Sequence, residues 1–234
     1  MRPVDMDRAA VSWFTGAWDD YVSRLPLVLA VTLTQAALSA GTFLIISRTH
    51  TMLTSLPYML LVITPVTVGA NLVYIKIARG TGGAYGDLFS AFPVYHRAVA
   101  VSLLLGLATT GGALLLVLPG VIVYLTYMFS EFAVVDLRGG VKESFAVSAA
   151  ATDGWKVRLF PLLMATAAIN FVVPDIYVIK GFRHSQASLD LRPWTVTASV
   201  LKDLVFLPWL NMAAARAYAF LLPAALRTGR PAAE

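Results

Sequence analysis

The sequence predicts an all-α polytopic membrane protein: six transmembrane helices in three hairpins, each hairpin preceded by a cytoplasmic interfacial amphipathic helix. Three observations predict it. Hydrophobic residues make up 58% of the 234 and charged residues only 13%, with a mean hydropathy of +0.73, whereas a soluble domain carries about 25% charged residues. Six segments reach the roughly 20 mainly apolar residues needed to cross about 30 Å of hydrocarbon. The cations lie singly between those segments, as membrane flanks do, and not in the block that nucleic acid would require.

The elements follow in order along a single integral membrane domain, 1–234. Residues 1–24 carry Val11, Phe14, Trp18, Tyr21 and, just beyond, Leu25 at three- and four-residue spacing, with Asp7, Arg8, Asp19, Asp20 and Arg24 between them. That is the pattern of a helix lying in the interface. The segment is too acidic and too interrupted for a secretory signal, so the first apolar run is expected to remain as a span. The predicted spans are 25–46, 56–77, 98–118, 121–137, 159–178 and 195–222. The run from Ala98 to Val135 holds 38 residues, about two membrane widths, and contains Pro119-Gly120. Proline cannot continue the hydrogen-bond ladder and glycine tolerates a turn, so this pair is expected to reverse the chain.

Short amphipathic stretches also precede the third span, with Tyr85, Leu88, Phe89 and Phe92, and the fifth, with Val141, Phe145 and Val147. The pattern of an interfacial helix feeding a hairpin thus occurs three times, as an internal repeat would arrange it. With both termini on one side, that side holds Arg2, Arg8, Arg24, Lys76, Arg79, Arg97, Arg138, Lys142, Lys156, Arg158, Arg227 and Arg230. The other side holds Arg48, Lys180, Arg183 and Arg192. Twelve cations against four places both termini in the cytoplasm.

Chemistry is sparse. The chain has no cysteine, which excludes disulfides, thiolate metal sites and cysteine nucleophiles. His50, His96 and His184 fall in predicted loops or at span ends, where no pair faces across the membrane interior to ligate haem. GTGGAYG at 80–86 lacks the preceding strand and the lysine of a phosphate cradle. No catalytic residue, cofactor or metal site is predicted, and the expectation is that the protein is not an enzyme.

Embedded ionisable groups are the sharper signal, because a charge inside the bilayer faces a partner or water. Glu131 lies eleven residues beyond Gly120, about 16 Å along a helix, which predicts mid-membrane depth. Arg216 lies eleven residues before Arg227 and Glu131 seven before Arg138, so an ion pair between Glu131 and Arg216 is expected. Similar reasoning links Lys202 and Asp203 with Asp175. The amides Asn71, Asn170 and Asn211 are expected to bond between helices; in the alternative, they join Glu131 and Asp203 along a polar path.

Three stretches carry a resemblance: IKIARGTGGAYGDLFSAF, LPGVIVYLTYMFSEFAVVDLRGGVKESFAVSAAATDG and LPWLNMAAARAYAFLL. On these the chain resembles the bacterial six-span proteins related to the membrane domain fused to some glycerophosphodiester phosphodiesterases. The resemblance implies the six-span fold and a bacterial inner-membrane address. It carries over no catalytic residue, since the phosphodiesterase chemistry of those fusions belongs to a separate soluble domain. The polar stretch from Lys180 to Arg192 fits the group less well. The leading functional expectation is a non-catalytic subunit or scaffold holding lipids, other membrane proteins or a second copy of itself. The alternative is a permease or solute-binding component using Glu131, Lys202, Asp203 and Arg216.

Overall fold

The computed structural model describes residues 3–181 and 184–228; Arg2, Arg183 and Arg230, counted in the charge bias, lie outside them. Five helical stretches are long and apolar enough to cross a membrane: Leu25–Thr49, Met52–Ala78, Tyr85–Leu115, Val117–Asp136 and Pro193–Arg227. The pair Val141–Thr152 and Lys156–Val172, bent by 108°, makes a sixth if taken as one span. The architecture is all-α and multi-pass, with a single two-stranded sheet among the described residues.

Helix α1 (Pro3–Ser23) leads through Arg24 into α2 (Leu25–Thr49). The side of α1 that packs on the protein overlaps the predicted interfacial stripe at Phe14 and Tyr21. It buries Trp13, Ala17 and Tyr21, one turn apart, whereas Val11 is 63% exposed and Trp18 46%. Its partner is the last helix of the chain. Trp13 meets Phe220 at 6.0 Å and Trp155 at 5.7 Å, and Trp209 Nε1 donates to the Phe14 carbonyl at 3.0 Å.

The second span joins α3 (Leu56–Tyr58), a π turn at Met59–Ile63 and α4 (Thr64–Ala78). Pro65 has no N–H to give, and the wider turn just ahead of it resets the ladder, with the Thr64 hydroxyl donating to the Met59 carbonyl at 3.0 Å. Two 3-10 turns, Tyr85–Phe89 and Phe92–Val94, then fold back along α4. Gly69 permits this: a Cβ there would stand 1.9 Å from the Leu88 carbonyl oxygen. Lys76 Nζ holds Asp87 Oδ1 at 2.6 Å over the same contact.

Helix α5 (Tyr95–Leu115) and helix α6 (Val117–Tyr127) pack closely against each other. The reversal between them falls at Leu116, whose φ of −162° and ψ of 144° are extended, and not at Pro119-Gly120. Pro119 sits in the first turn of α6, where a missing N–H leaves no intrahelical bond unmade. Gly120 serves the packing instead. Its Cβ would lie 2.7 Å from Ala113 N, and that of Gly112 would lie 3.0 Å from Gly120 Cα, so the pair of glycines lets two backbones touch.

After α7 (Ser130–Asp136) comes α8 (Val141–Thr152), which buries Ser144, Ser148 and Thr152 in place of an apolar stripe. Helix α9 (Lys156–Val172) ends six residues short of the predicted 178. Beyond it, β1 (Tyr177–Lys180) pairs antiparallel with β2 (Gln186–Leu189), Tyr177 opposite Leu189. This hairpin accounts for the polar 180–192 stretch. Ser185 N–H donates to the His50 carbonyl at 2.8 Å, and Tyr177 meets Phe43 at 5.0 Å, so the hairpin covers the end of α2.

The last span joins α10 (Pro193–Leu201), a second π turn at Lys202–Phe206 and α11 (Leu207–Thr228). Pro208 leaves the Leu204 carbonyl without its helical donor, and the Tyr21 hydroxyl supplies one at 3.0 Å. Ala213, Ala214, Ala215 and Ala217 are buried, and this small-residue stretch lets α1, α4, α8 and α9 approach α11 from several sides.

Candidate functional site

The site begins with a break in the fourth span. Helix α6 stops at Tyr127, and α7 restarts at Ser130. The backbone groups freed at such a break need partners inside a membrane, and α8 provides them. Phe129 N–H donates to Ser148 Oγ at 3.1 Å. The Ser148 and Thr152 hydroxyls donate to the Thr126 carbonyl at 3.0 and 3.1 Å. The hydroxyl face of α8 is therefore what the broken span requires. Phe129, Phe132 and Tyr218 pack ring on ring at 5.6 to 5.9 Å on the far side of the break.

Glu131 follows in the first turn of α7, held at its Oε1 by the Ser102 hydroxyl of α5 at 2.6 Å. Because the chain reverses at Leu116, Glu131 stands about 22 Å along the chain from that turn at 1.5 Å per residue. Five residues on, Asp136 takes both Arg79 amino groups at 2.6 Å and the Tyr218 hydroxyl at 3.0 Å. The bonded carboxylate holds the Arg79 guanidinium above its ordinary range, against the lowering effect of burial. This network ties the C-terminal ends of α4 and α7 to the middle of α11.

The expected pair between Glu131 and Arg216 does not form. Arg216 Nε donates to Asp20 Oδ2 at 2.6 Å, with its guanidinium laid over Gly16 of α1. The last span explains why the count fails. From Pro193 to Arg227 it runs 35 residues, about 52 Å, far more than the hydrocarbon thickness. Its two ends therefore cannot both mark membrane faces, so a count from Arg227 does not fix where Arg216 stands. The arrangement had a legible signal: Gly16 stands one turn ahead of Asp20, leaving a groove for a long basic side chain.

Glu131 instead lines a cavity of about 400 Å³, within the usual size range of small-molecule sites. Asn71 of α4 and Asn211 of α11 line it too, as do Gln35, Tyr74, Ser102, Thr109 and Tyr124. A second cavity of about 340 Å³ adjoins it, lined by Asp175 and Asp203, and the two share Gln35, Thr67, Tyr74 and Asn211. Asn170 joins neither; its Nδ2 donates to the Thr166 carbonyl of its own helix at 2.9 Å.

Lys202 is 2% exposed, within the π turn. Its ammonium contacts Asp175 directly and lies 4.0 Å from Asp203. The three charges grouped by the sequence thus form one cluster at the second cavity. On the face bearing the β-hairpin, Arg192 grips Asp190 through Nε and Nη2, and the Asp190 carboxyl is pushed down to about 2 by that guanidinium.

Several polar groups at the cavity lack protein partners. Gln35, Asn71 and Asn211 make no side-chain hydrogen bond to any described residue, and the Oε2 of Glu131 accepts none. Thr109 Oγ1 is sealed from solvent and unpartnered. The expected interhelical amide bonds are absent at Asn71 and Asn211, and their side chains face the cavity. Comparison with family models, with curated proteins and with solved structures gives no match to this chain.

Proposed function

We propose that this protein admits a small polar solute into the membrane through the two adjoining cavities, as a permease or the solute-binding part of one. One observation carries the reading: Glu131, Asn71 and Asn211 converge from three helices on one cavity, where the two amide side chains and the second oxygen of Glu131 have no hydrogen-bond partner among the described residues. Polar groups without partners inside a membrane cost stability, so a fold that gathers them around open space has them available for water and a ligand. The scaffold reading is weaker here, because the Trp13, Ala17, Tyr21 stripe of α1 is spent on the chain's own α11. In this proposal the spans form three hairpins in a bacterial inner membrane with both termini cytoplasmic. The Asp175 and Asp203 cavity then lies toward the outside and Glu131 toward the cytoplasm.

The absence of cysteine makes the test direct. Thr110→Cys and Asn211→Cys, each at a cavity wall, are expected to react with the neutral, water-soluble reagent 2-hydroxyethyl methanethiosulfonate in proteoliposomes. Leu107→Cys, 69% exposed on α5 and lining neither cavity, is expected to stay unmodified in lipid. If both wall positions react no faster than Leu107→Cys, water does not enter and the proposal fails.

A further inference from the structure

The charges along the two cavities are of one sign. Among the lining residues the charged side chains are Glu131, Asp175 and Asp203, with no lysine, arginine or histidine. Lys202 approaches Asp175 and Asp203 but lines neither cavity, and Arg216 is committed to Asp20. Glu131 has no ion-pair partner among the described residues. An isolated carboxylate in a low-dielectric site is strongly disfavoured unless an opposite charge or a proton joins it. The described residues place no such charge at Glu131.

The walls say which kind of cation fits. Calcium takes six to eight oxygen ligands, several of them from carboxylates, and zinc is held by three or four His, Cys or carboxylate ligands. Glu131 is the single carboxylate of its cavity, and no cluster of potential metal ligands occurs among the described residues. The rings of Tyr74, Tyr124 and Phe132 stand around the same space, with Leu105 and Met128 beside them. Aromatic faces attract ammonium groups, and the aliphatic walls suit an alkyl body. We propose that Glu131 is the counter-charge for a small monovalent organic cation of the alkylammonium type, seated against these rings with its polar groups on Asn71 and Asn211. This rests on the cavity being open to water, as argued above.

The test uses the full chain carrying Thr110→Cys in proteoliposomes. Modification rates are compared for a cationic reagent, 2-(trimethylammonium)ethyl methanethiosulfonate, and an anionic one, 2-sulfonatoethyl methanethiosulfonate, each normalised to its rate with a free thiol. Thr110 stands about 12 Å along α5 from Ser102, whose hydroxyl holds Glu131, and at an effective dielectric near 20 a charge at that range should still favour the cationic reagent by about tenfold. Glu131→Gln should bring the ratio back toward one, whereas Glu131→Asp, which keeps the charge, should retain most of it. Tetramethylammonium should slow modification where the uncharged 2,2-dimethylpropanol, a quaternary-carbon compound of similar bulk, at equal concentration does not. A normalised ratio near one while the neutral reagent still reacts overturns the cation and leaves the cavity standing. A high ratio that survives Glu131→Gln overturns the assignment to Glu131. Failure of all three reagents overturns the solute reading itself.

Discussion

Two glycines carry hypothetical Cβ clashes of similar depth, and the structure predicts opposite consequences for filling them. At Gly69 an added Cβ would stand 1.9 Å from the Leu88 carbonyl oxygen, where ordinary contact begins at 3.4 Å. Both atoms belong to backbone, so α4 and the Tyr85–Phe89 turn would have to separate by about 1.5 Å, an overpacking cost of roughly 1–3 kcal/mol. Alanine recovers up to about 1 kcal/mol in a helix, which leaves Gly69→Ala destabilised by about 1–2 kcal/mol. At Gly16 the Cβ would stand 2.2 Å from Arg216 Nη1, the far end of a flexible side chain. Arg216 can swing away and lose its bond to Asp20, which at 31% side-chain exposure is worth about 1 kcal/mol or less. The helix gain offsets that loss, so Gly16→Ala should fall within about 0.5 kcal/mol of the parent. Unfolding of the detergent-purified protein by SDS, followed through tryptophan fluorescence, measures both. The reasoning is refuted if Gly69→Ala unfolds at the parent's SDS fraction, or if Gly16→Ala loses as much as Gly69→Ala.

Three further outcomes follow from the geometry. Tyr21→Phe should cost about 1 kcal/mol by orphaning the Leu204 carbonyl, and in a Pro208→Ala background, where a backbone donor returns, the SDS-measured cost should fall to less than half. Tyr218→Phe removes a bond to a charged acceptor and should cost about 1.5–3 kcal/mol; a double-mutant cycle with Arg79→Gln should show coupling, and additivity would count against the Asp136 network. Because the Asp190 carboxyl is held low by Arg192, their contact should be complete above the unfolded-state value of 3.8 and be lost as pH falls through about 2. Carboxyl NMR should show that low midpoint, and Arg192→Gln should return it toward 3.8.

The spans were legible because the cost of placing polar backbone and side chains in hydrocarbon leaves a long apolar signature in the sequence. Where each helix ends or bends was less so. Pro119-Gly120 has the composition of a turn, yet proline is equally at home in the first turn of a helix, and local chemistry does not distinguish the two. The pairing of Glu131 with Arg216 was not legible because it was counted from Gly120 and Arg227, whereas the chain reverses at Leu116 and Arg216 turns to Asp20 of α1. The grouping of Lys202, Asp203 and Asp175 needed only that three charges be near one end of two spans. The cavity itself was not legible. Gln35, Ser102 and Thr109 are ordinary in membrane helices, and only the packing shows that they face one space. The hydroxyl stripe Ser144, Ser148, Thr152 did carry a readable signal, a four-residue spacing of small donors, but its purpose depends on a break in another helix.

That dependence bears on how the chain is made. Residues 126–129 leave the ribosome some twenty residues before Ser148 and Thr152, whose hydroxyls complete their hydrogen bonding. Until those donors and acceptors arrive, the fourth span holds open backbone groups that lipid cannot satisfy. It therefore gains its final form only together with α8, and biogenesis must keep the half-made segment in a wet or protein-lined place until the next helix is synthesised.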